Sequence, residues 1–151
     1  MIIYAYYGSG KTTLVNQCPE LFTEIDAEHC WNISVEDIIK QIHELDKDHI
    51  VFINGYLYKL PTVSVDIAFI PESIDIPLKR LQNRNVDASF LTFIQESFSD
   101  CKQDIINMIP NHIYYDENTF LSDYHHYFEN LYQERKKTYA KQNERISRQN
   151  Q

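Results

Sequence analysis

The residues best suited to chemistry lie near the start of the chain, in the stretch Tyr7-Gly8-Ser9-Gly10-Lys11-Thr12-Thr13. Glycine adopts backbone angles that other residues avoid, so the amide groups of such a turn can point inward toward an anion. A lysine after the turn suits the outer phosphates of a nucleotide, and the next threonine hydroxyl suits magnesium. The spacing therefore predicts that residues 7–13 bind ATP or GTP, with Lys11 on the phosphates and Thr12 on Mg²⁺.

This stretch departs from the full phosphate-binding pattern at one position. The pattern is glycine, any four residues, then Gly-Lys-Ser/Thr, and the position of the first glycine holds Ala5. The context still fits, because Ile2 to Tyr4 are typical of a strand and Leu14-Val15 of a helix, on the two sides of the turn. We therefore keep the prediction over its alternative, a glycine-rich turn followed by an unrelated lysine.

Phosphoryl transfer also needs positive charge on the migrating group and a carboxylate for magnesium or for the acceptor. Asp26 ends a predicted strand at 21–27, and we interpret it as the ligand of the metal or the acceptor. The alternative for Asp26 is a turn or helix cap. Arg80 and Arg84 are four residues apart, which places them on one face of a predicted helix. We expect both to act on the transferring phosphoryl group, and a solvated helix face is the alternative.

The third predicted strand ends in Asn54, where a magnesium-orienting aspartate is expected. Asparagine brings no charge, so Asp26 would supply the anion, or the nucleotide and Thr12 would hold most of the magnesium. Together with Ala5, this departure favours a second hypothesis. In that hypothesis the chain binds a nucleotide without useful catalysis, as a regulator or a partner-binding module.

The elements that position these residues alternate between strands and helices. Strands are predicted at 2–4, 21–27, 49–55, 65–71 and 112–116. Helices are predicted from Leu14, from a Ser34–Asp37 capping box, from Pro77 to about Arg84, from about Ala88 to Met108, and across Leu121 to Leu131. This alternation predicts an α/β fold in three layers, α/β/α, with a mostly parallel five-stranded sheet. Ligands in such sheets bind at the carboxyl ends of the strands.

Length and charge limit the other classes of function. The 151 residues suit one domain, residues 1–132, followed by a basic polar helix extension or tail at 133–151. No apolar run approaches the roughly 18 residues of a membrane span, and no basic segment precedes the first apolar stretch, so we expect a cytoplasmic protein without a signal peptide. The net charge of −8 disfavours nucleic acid as a partner.

The tail is the exception in charge. Residues 135–151 hold six basic side chains and one acidic side chain, so they carry +5 and leave −13 on the rest of the chain. A basic polar tail is most often solvated. It is also the only support for a third hypothesis, a polynucleotide end kinase.

The chain resembles nucleoside monophosphate kinase-type P-loop proteins, in particular the short kinase-like ones encoded by bacteriophages. The resemblance covers most of residues 1–130 and rests on "YGSGKTTL", "DAEHCW", "IVFINGY" and "FIPES…PLKRLQNRN…FLTFIQESF". It implies a P-loop NTPase fold, with 26–31 facing the phosphate acceptor and the Arg80/Arg84 segment as a lid. Trp31 then stacks on a base, although a buried core tryptophan is the alternative.

The leading functional prediction is ATP-dependent phosphoryl transfer to a nucleoside or deoxynucleoside monophosphate. The partners are then a nucleoside triphosphate donor and a small nucleotide acceptor. The protein would act as a monomer or homodimer in the cytoplasm, which is the host cytoplasm if a phage encodes it.

Overall fold

The computed structural model describes all residues from Met1 to Gln151. Five strands form one sheet: Ile2–Ala5 (β1), Phe22–Ile25 (β2), Ile50–Ile53 (β3), Ile67–Pro71 (β4) and His112–Tyr115 (β5). Five α-helices accompany them: Lys11–Gln17 (α1), Val35–Asp46 (α2), Asp75–Gln82 (α3), Ala88–Met108 (α4) and His125–Gln149 (α5). Short 3₁₀ helices lie at Ala27–Cys30, Gly55–Lys59 and Leu121–Tyr124.

The sheet has the strand order β2-β3-β1-β4-β5, and every neighbouring pair is parallel. The three central strands, β1, β3 and β4, are buried over their whole length. Strands covered on both faces need apolar side chains in both directions, which explains the unbroken apolar runs that predicted them. The predicted α/β fold with a five-stranded parallel sheet is confirmed.

Helices cover both faces of the sheet and form the outer two layers. On one face Ile2 and Tyr4 of β1 join a core that includes Ile38 of α2 and Ile105 of α4. On the other face Ile3 joins a core that includes Leu14 of α1, Phe22 of β2 and Phe128 of α5. Alternate residues of one strand thus enter opposite cores, as the period of two in a strand requires.

The connections of the sheet diverge between β1 and β4. The chain leaves β1 toward β2 at one edge and leaves β4 toward β5 at the other edge. In a parallel α/β sheet, the crevice beyond the carboxyl ends of two such strands is the usual place for a ligand. The predicted phosphate loop follows β1 and therefore borders this crevice.

Both ends of helix α3 differ from the prediction. Helix α3 begins at Asp75, so Pro77 is its third residue, where a missing N–H still breaks no helical hydrogen bond. It ends at Gln82, so Arg84 lies beyond the helix and does not share a helix face with Arg80. The predicted Ser34 cap is confirmed, since the Ser34 hydroxyl accepts a hydrogen bond from the Asp37 amide at 3.1 Å.

The basic segment continues helix α5 instead of forming a separate tail. The helix runs to Gln149, and all residues from 136 to 151 are exposed. Arg135, at the start of the segment, is bound to Asp66 at 2.7 Å and fastens the helix to the body of the protein. No helix is long and apolar enough to span a membrane.

Candidate functional site

The turn between β1 and α1 depends on two glycines with positive φ. Gly8 has a φ of 76° and Gly10 a φ of 96°, angles that L side chains rarely adopt. A Cβ at Gly8 would also lie 3.4 Å from the Pro77 Cα, so this turn packs closely against α3. Both glycines of the turn therefore occupy positions where the backbone requires glycine.

Lys11 is buried beneath this turn, with 8% of its surface exposed. Its Nζ donates a hydrogen bond to the Ala5 carbonyl at 3.2 Å, which leaves two of its three donors free. Burial lowers the pKa of Lys11 to about 8, although the carboxylates of Asp26 and Glu24 oppose this shift. The ammonium group is thus held in place, poorly hydrated, and suited to contact an anion.

The Thr12 hydroxyl donates to both carboxylate oxygens of Glu24 on β2, at 2.9 and 3.3 Å. Glu24 is a residue that the sequence analysis did not single out. The signal for Glu24 was its position two residues before Asp26 in the predicted strand. Residues two apart in a strand project from the same face of the sheet. Glu24 is therefore the carboxylate nearest the predicted magnesium ligand Thr12.

Asp26 has the capping role considered for it and also lies at the candidate site. Its carboxylate accepts a hydrogen bond from the Glu28 amide at 3.0 Å and so caps the 3₁₀ helix Ala27–Cys30. The same residue lines a cleft beside the glycine-rich turn. Residue 54 supports this arrangement, because the buried Asn54 accepts a hydrogen bond from the Ala27 amide at 2.8 Å through its Oδ1.

The cleft beside the turn measures about 230 Å³. It brings together Lys11, Thr12, Asp26 and Arg84, which the sequence predicted as one site. The remaining lining residues come from the turn, from helices α1, α3 and α4, and from the connections that follow β2, β3 and α3: Tyr7, Gly8, Gly10, Thr13, Glu28, Asn54, Leu81, Val86 and Phe90. Ser9, which was predicted to bind the nucleotide, is fully buried and does not line the cleft.

Arg80 does not line the cleft with Arg84. Its guanidinium donates hydrogen bonds to the carbonyls of Gly8, Asp116, Glu117 and Thr119, at 2.7 to 3.2 Å. It also lies 3.9 Å from the ring centroid of Phe120. Desolvation on burial lowers its pKa, but an arginine remains charged at all working pH values. Arg80 therefore holds the glycine-rich turn against the segment after β5.

No cluster of three or more His, Cys, Asp or Glu side chains has the geometry of a metal site. A magnesium ion in this cleft would take most of its oxygens from phosphate and water, which Mg²⁺ commonly does. Thr12, Glu24 and Asp26 fit that limited role, because each offers an oxygen next to the turn.

Trp31 is 83% exposed, so the alternative of a buried core tryptophan is wrong. It follows the 3₁₀ helix that Asp26 caps, and it lines a second, larger groove that adjoins the cleft at Tyr7. The Tyr7 ring packs edge-on against Phe90, with 5.0 Å between the ring centroids. Both rings line the cleft as well as the groove, so they lie where the two spaces adjoin.

Comparison with known proteins identifies no family for the chain. No protein-family model matches the chain, and no curated protein matches it. Among solved structures, the chain is similar to an uncharacterized protein from Eubacterium ventriosum ATCC 27560. The two are 13% identical, the match covers 89% of this chain and 98% of the other, and the TM-score is 0.48.

Proposed function

We propose that the protein transfers the terminal phosphoryl group of a nucleoside triphosphate to a small acceptor, for which the sequence predicts a nucleoside monophosphate. The observation that carries the proposal is the shared cleft of Lys11, Thr12, Asp26 and Arg84 at the carboxyl end of β1. A P-loop assignment rests on the same residues, together with the positive φ of Gly8 and Gly10.

Each residue has a separate role in this proposal. Magnesium-bound nucleoside triphosphate supplies the phosphoryl group and an activated leaving group. Lys11 binds the outer phosphates from below, where its poor hydration strengthens the attraction. Arg84 lines the same cleft and stabilises the charge that spreads over the transferring oxygens. Asp26 orients the acceptor or a metal-bound water.

The test is a screen of nucleosides and nucleoside monophosphates with ATP and magnesium, measured as ADP formation against an acceptor-free control. We expect one acceptor class to raise ADP formation, and Lys11→Ala to abolish the increase. Lys40→Ala is the matched control, because Lys40 is exposed on α2 and lines no part of the cleft. Thermal unfolding of each variant verifies that the fold persists. Transfer at the wild-type rate by Lys11→Ala would contradict the proposal.

One observation favours a second function, nucleotide binding without transfer. The end of β3 supplies Asn54 in place of a carboxylate, and its Oδ1 is occupied by the Ala27 amide. The site then has fewer anions to hold magnesium and the attacking group. In this case ATP binding would depend on Lys11, while none of the acceptors would increase ADP formation.

A further inference from the structure

The groove beside the cleft measures about 870 Å³, against about 230 Å³ for the cleft itself. Its walls are the ends of β1, the two 3₁₀ helices after β2 and β3, and one side of helix α4. Tyr7, Glu28 and Phe90 line both the groove and the cleft, so the two spaces meet directly. A molecule bound in the groove would therefore lie next to the transferring phosphoryl group.

The groove is lined by aromatic side chains that remain open to solvent. Trp31 is 83% exposed, Phe93 57% and Tyr56 44%. Large aromatic rings are usually buried, and a concentration of exposed ones in a concave site indicates a ligand with a flat apolar face. Rings of this kind stack on planar bases without reading their sequence. The lining thus suits a planar aromatic ring.

The charges of the groove are predominantly negative. Three carboxylates line it, from Glu28, Asp100 and Asp104, against a single cation, Lys59. Lys59 is already paired with Asp104 at 3.0 Å, so two carboxylates remain without a cationic partner in the groove. This arrangement repels a phosphate group on the bound molecule. It also repels the backbone of a nucleic acid.

The carboxylates at the junction favour an acceptor of a particular chemical kind. Glu28 lines both spaces, and Asp26 lies two residues earlier, joined to the Glu28 amide at 3.0 Å. A hydroxyl acceptor must give up a proton during transfer, and a nearby carboxylate can take it. A phosphate acceptor is already ionised at neutral pH, so it needs no base and is repelled by the same carboxylates.

We propose that the groove binds an unphosphorylated nucleoside, in place of a nucleoside monophosphate, and that a hydroxyl of this nucleoside accepts the phosphoryl group. The inference rests on the proposed phosphoryl transfer. The hydroxyl oxygen forms a bond to the terminal phosphorus of the triphosphate, and the bond from that phosphorus to the bridging oxygen breaks. The diphosphate leaves with the bonding electrons, and the hydroxyl proton passes to Glu28 or Asp26 and then to water.

The test compares the binding of four nucleosides (adenosine, guanosine, cytidine and thymidine) with that of their 5′-monophosphates. The full chain is used, with magnesium and a non-hydrolysable ATP analogue, and Trp31 fluorescence and calorimetry report binding. We expect at least one nucleoside to bind at least tenfold more tightly than its own monophosphate. A monophosphate that binds as tightly as its nucleoside, or the absence of binding by all four nucleosides, overturns the inference.

Two variants test separately whether the carboxylates repel a phosphate and whether the aromatic rings stack on a base. Asp100→Asn removes one unpaired carboxylate, and we expect it to strengthen monophosphate binding at least threefold without changing nucleoside binding. Glu96→Gln is the matched control, because it makes the same charge change on the same helix outside the groove. Phe93→Ala should weaken nucleoside binding by about tenfold or more through the loss of stacking. Equal effects of Asp100→Asn and Glu96→Gln on monophosphate binding would overturn the electrostatic cause.

The outcomes separate this inference from the proposed function. Tight nucleoside binding without ADP formation contradicts the phosphoryl transfer and leaves the groove assignment in place. ADP formation with a monophosphate, and none with its nucleoside, contradicts the groove assignment and leaves the transfer in place.

Discussion

At the scale of single residues, two arginines four positions apart have entirely different environments. Arg80 is half-buried and hydrogen-bonded to four carbonyls, whereas Arg84 is exposed and lines the cleft beside the glycine-rich turn. The spacing predicted a shared helix face, but α3 ends at Gln82, between the two residues. Asn83 is a stop signal at this point, since asparagine often follows the last residue of a helix, but the prediction followed the four-residue spacing of the two arginines instead. We therefore expect substitution of Arg80 to reduce the stability of the protein and substitution of Arg84 to reduce its turnover.

We expect Arg84→Gln to reduce the turnover number by about 100-fold, because the cation acts mainly on charge that develops in the transition state. The Kd for ATP should change by less than about threefold, and the free energy of unfolding should change by less than about 0.5 kcal/mol. Lys79→Gln, an exposed neighbour outside the cleft, is the control. Steady-state kinetics, ATP titration and urea unfolding measure the three quantities.

Arg80→Gln, unlike Arg84→Gln, should reduce the stability of the protein. Loss of hydrogen bonds from a charged donor to several carbonyls should lower the free energy of unfolding by about 2 kcal/mol. An Arg80→Gln variant as stable as the wild type would contradict the role we assign to this side chain.

The pKa of Lys11 gives the pH dependence of nucleotide binding. Burial lowers this pKa to about 8, and phosphate binds the protonated ammonium form. As pH rises through 8, the free protein loses that proton, so the affinity for ATP should fall. We expect the Kd at pH 9 to be about tenfold higher than at pH 7.

Calorimetric titration of ATP between pH 7 and pH 9 measures this dependence. Lys11→Met is the control, because it keeps most of the side-chain volume and removes the titrating group. Its weaker binding should show no pH dependence above pH 7. A wild-type Kd that stays constant over this range would contradict the prediction.

At the scale of elements, the sequence predicted the strands well and the connections poorly. All five strands were found because their apolar runs are short and end in turn residues or carboxylates, as "IVFING" and "HIYYD" do. The glycine-rich turn was found because its residue types have a direct physical use. The 3₁₀ helices Ala27–Cys30 and Gly55–Lys59 were not predicted, since segments of four or five residues have too few positions for a periodic signal, and the third, Leu121–Tyr124, was predicted as the start of the final α-helix.

The 3₁₀ helix that begins at Gly55 shows what such a connection does for the site. Gly55 has a φ of 57°, and a Cβ there would lie 2.7 Å from the Ala27 Cβ and 2.9 Å from the Tyr7 hydroxyl. The close approach allows the connections after β2 and β3 to pack side by side next to the cleft. The third glycine of the chain is thus required for the geometry of the site, although the phosphate-binding pattern does not include it.

We expect Gly55→Ala to lower the free energy of unfolding by about 1–3 kcal/mol, from a strained φ and a direct steric conflict. Urea unfolding measures the loss. In an Ala27→Gly background, where the closest contact is absent, the same substitution should cost clearly less. Equal costs in both backgrounds would show that contact with Ala27 is not the cause.

At the scale of the whole molecule, charge is divided between a negative body and a positive helix end. Residues 135–151 carry +5 and the remainder −13. The sequence predicted this division and offered a helix extension or a tail for residues 133–151, but it did not decide between them, because residues 133–149 lack a regular apolar stripe. Their helical content follows from good helix formers such as Lys, Arg, Glu and Gln, which extend a helix that Phe128 and Tyr132 anchor in the core.

Deletion of residues 140–151 should change the free energy of unfolding by less than about 0.5 kcal/mol, because every deleted side chain is exposed and the Arg135–Asp66 pair remains. Urea unfolding of the shortened chain tests this expectation. Oligonucleotide binding that weakens with salt and disappears on this deletion would instead support the polynucleotide end kinase hypothesis. The charge of −13 on the rest of the chain disfavours the polynucleotide end kinase hypothesis.

The contacts of Arg80 have a consequence for local unfolding. Its guanidinium, together with the bond from the Leu121 amide to the Ser9 carbonyl at 3.0 Å, ties the glycine-rich turn to residues 116–121. Segments joined in this way open together, so their amide protons should exchange with deuterium as one cooperative unit. A ligand that holds the turn would then slow exchange in the segment before α5 as well. An NMR amide signal from Asn118, which lines neither the cleft nor the groove, would therefore report occupancy of the phosphate cleft.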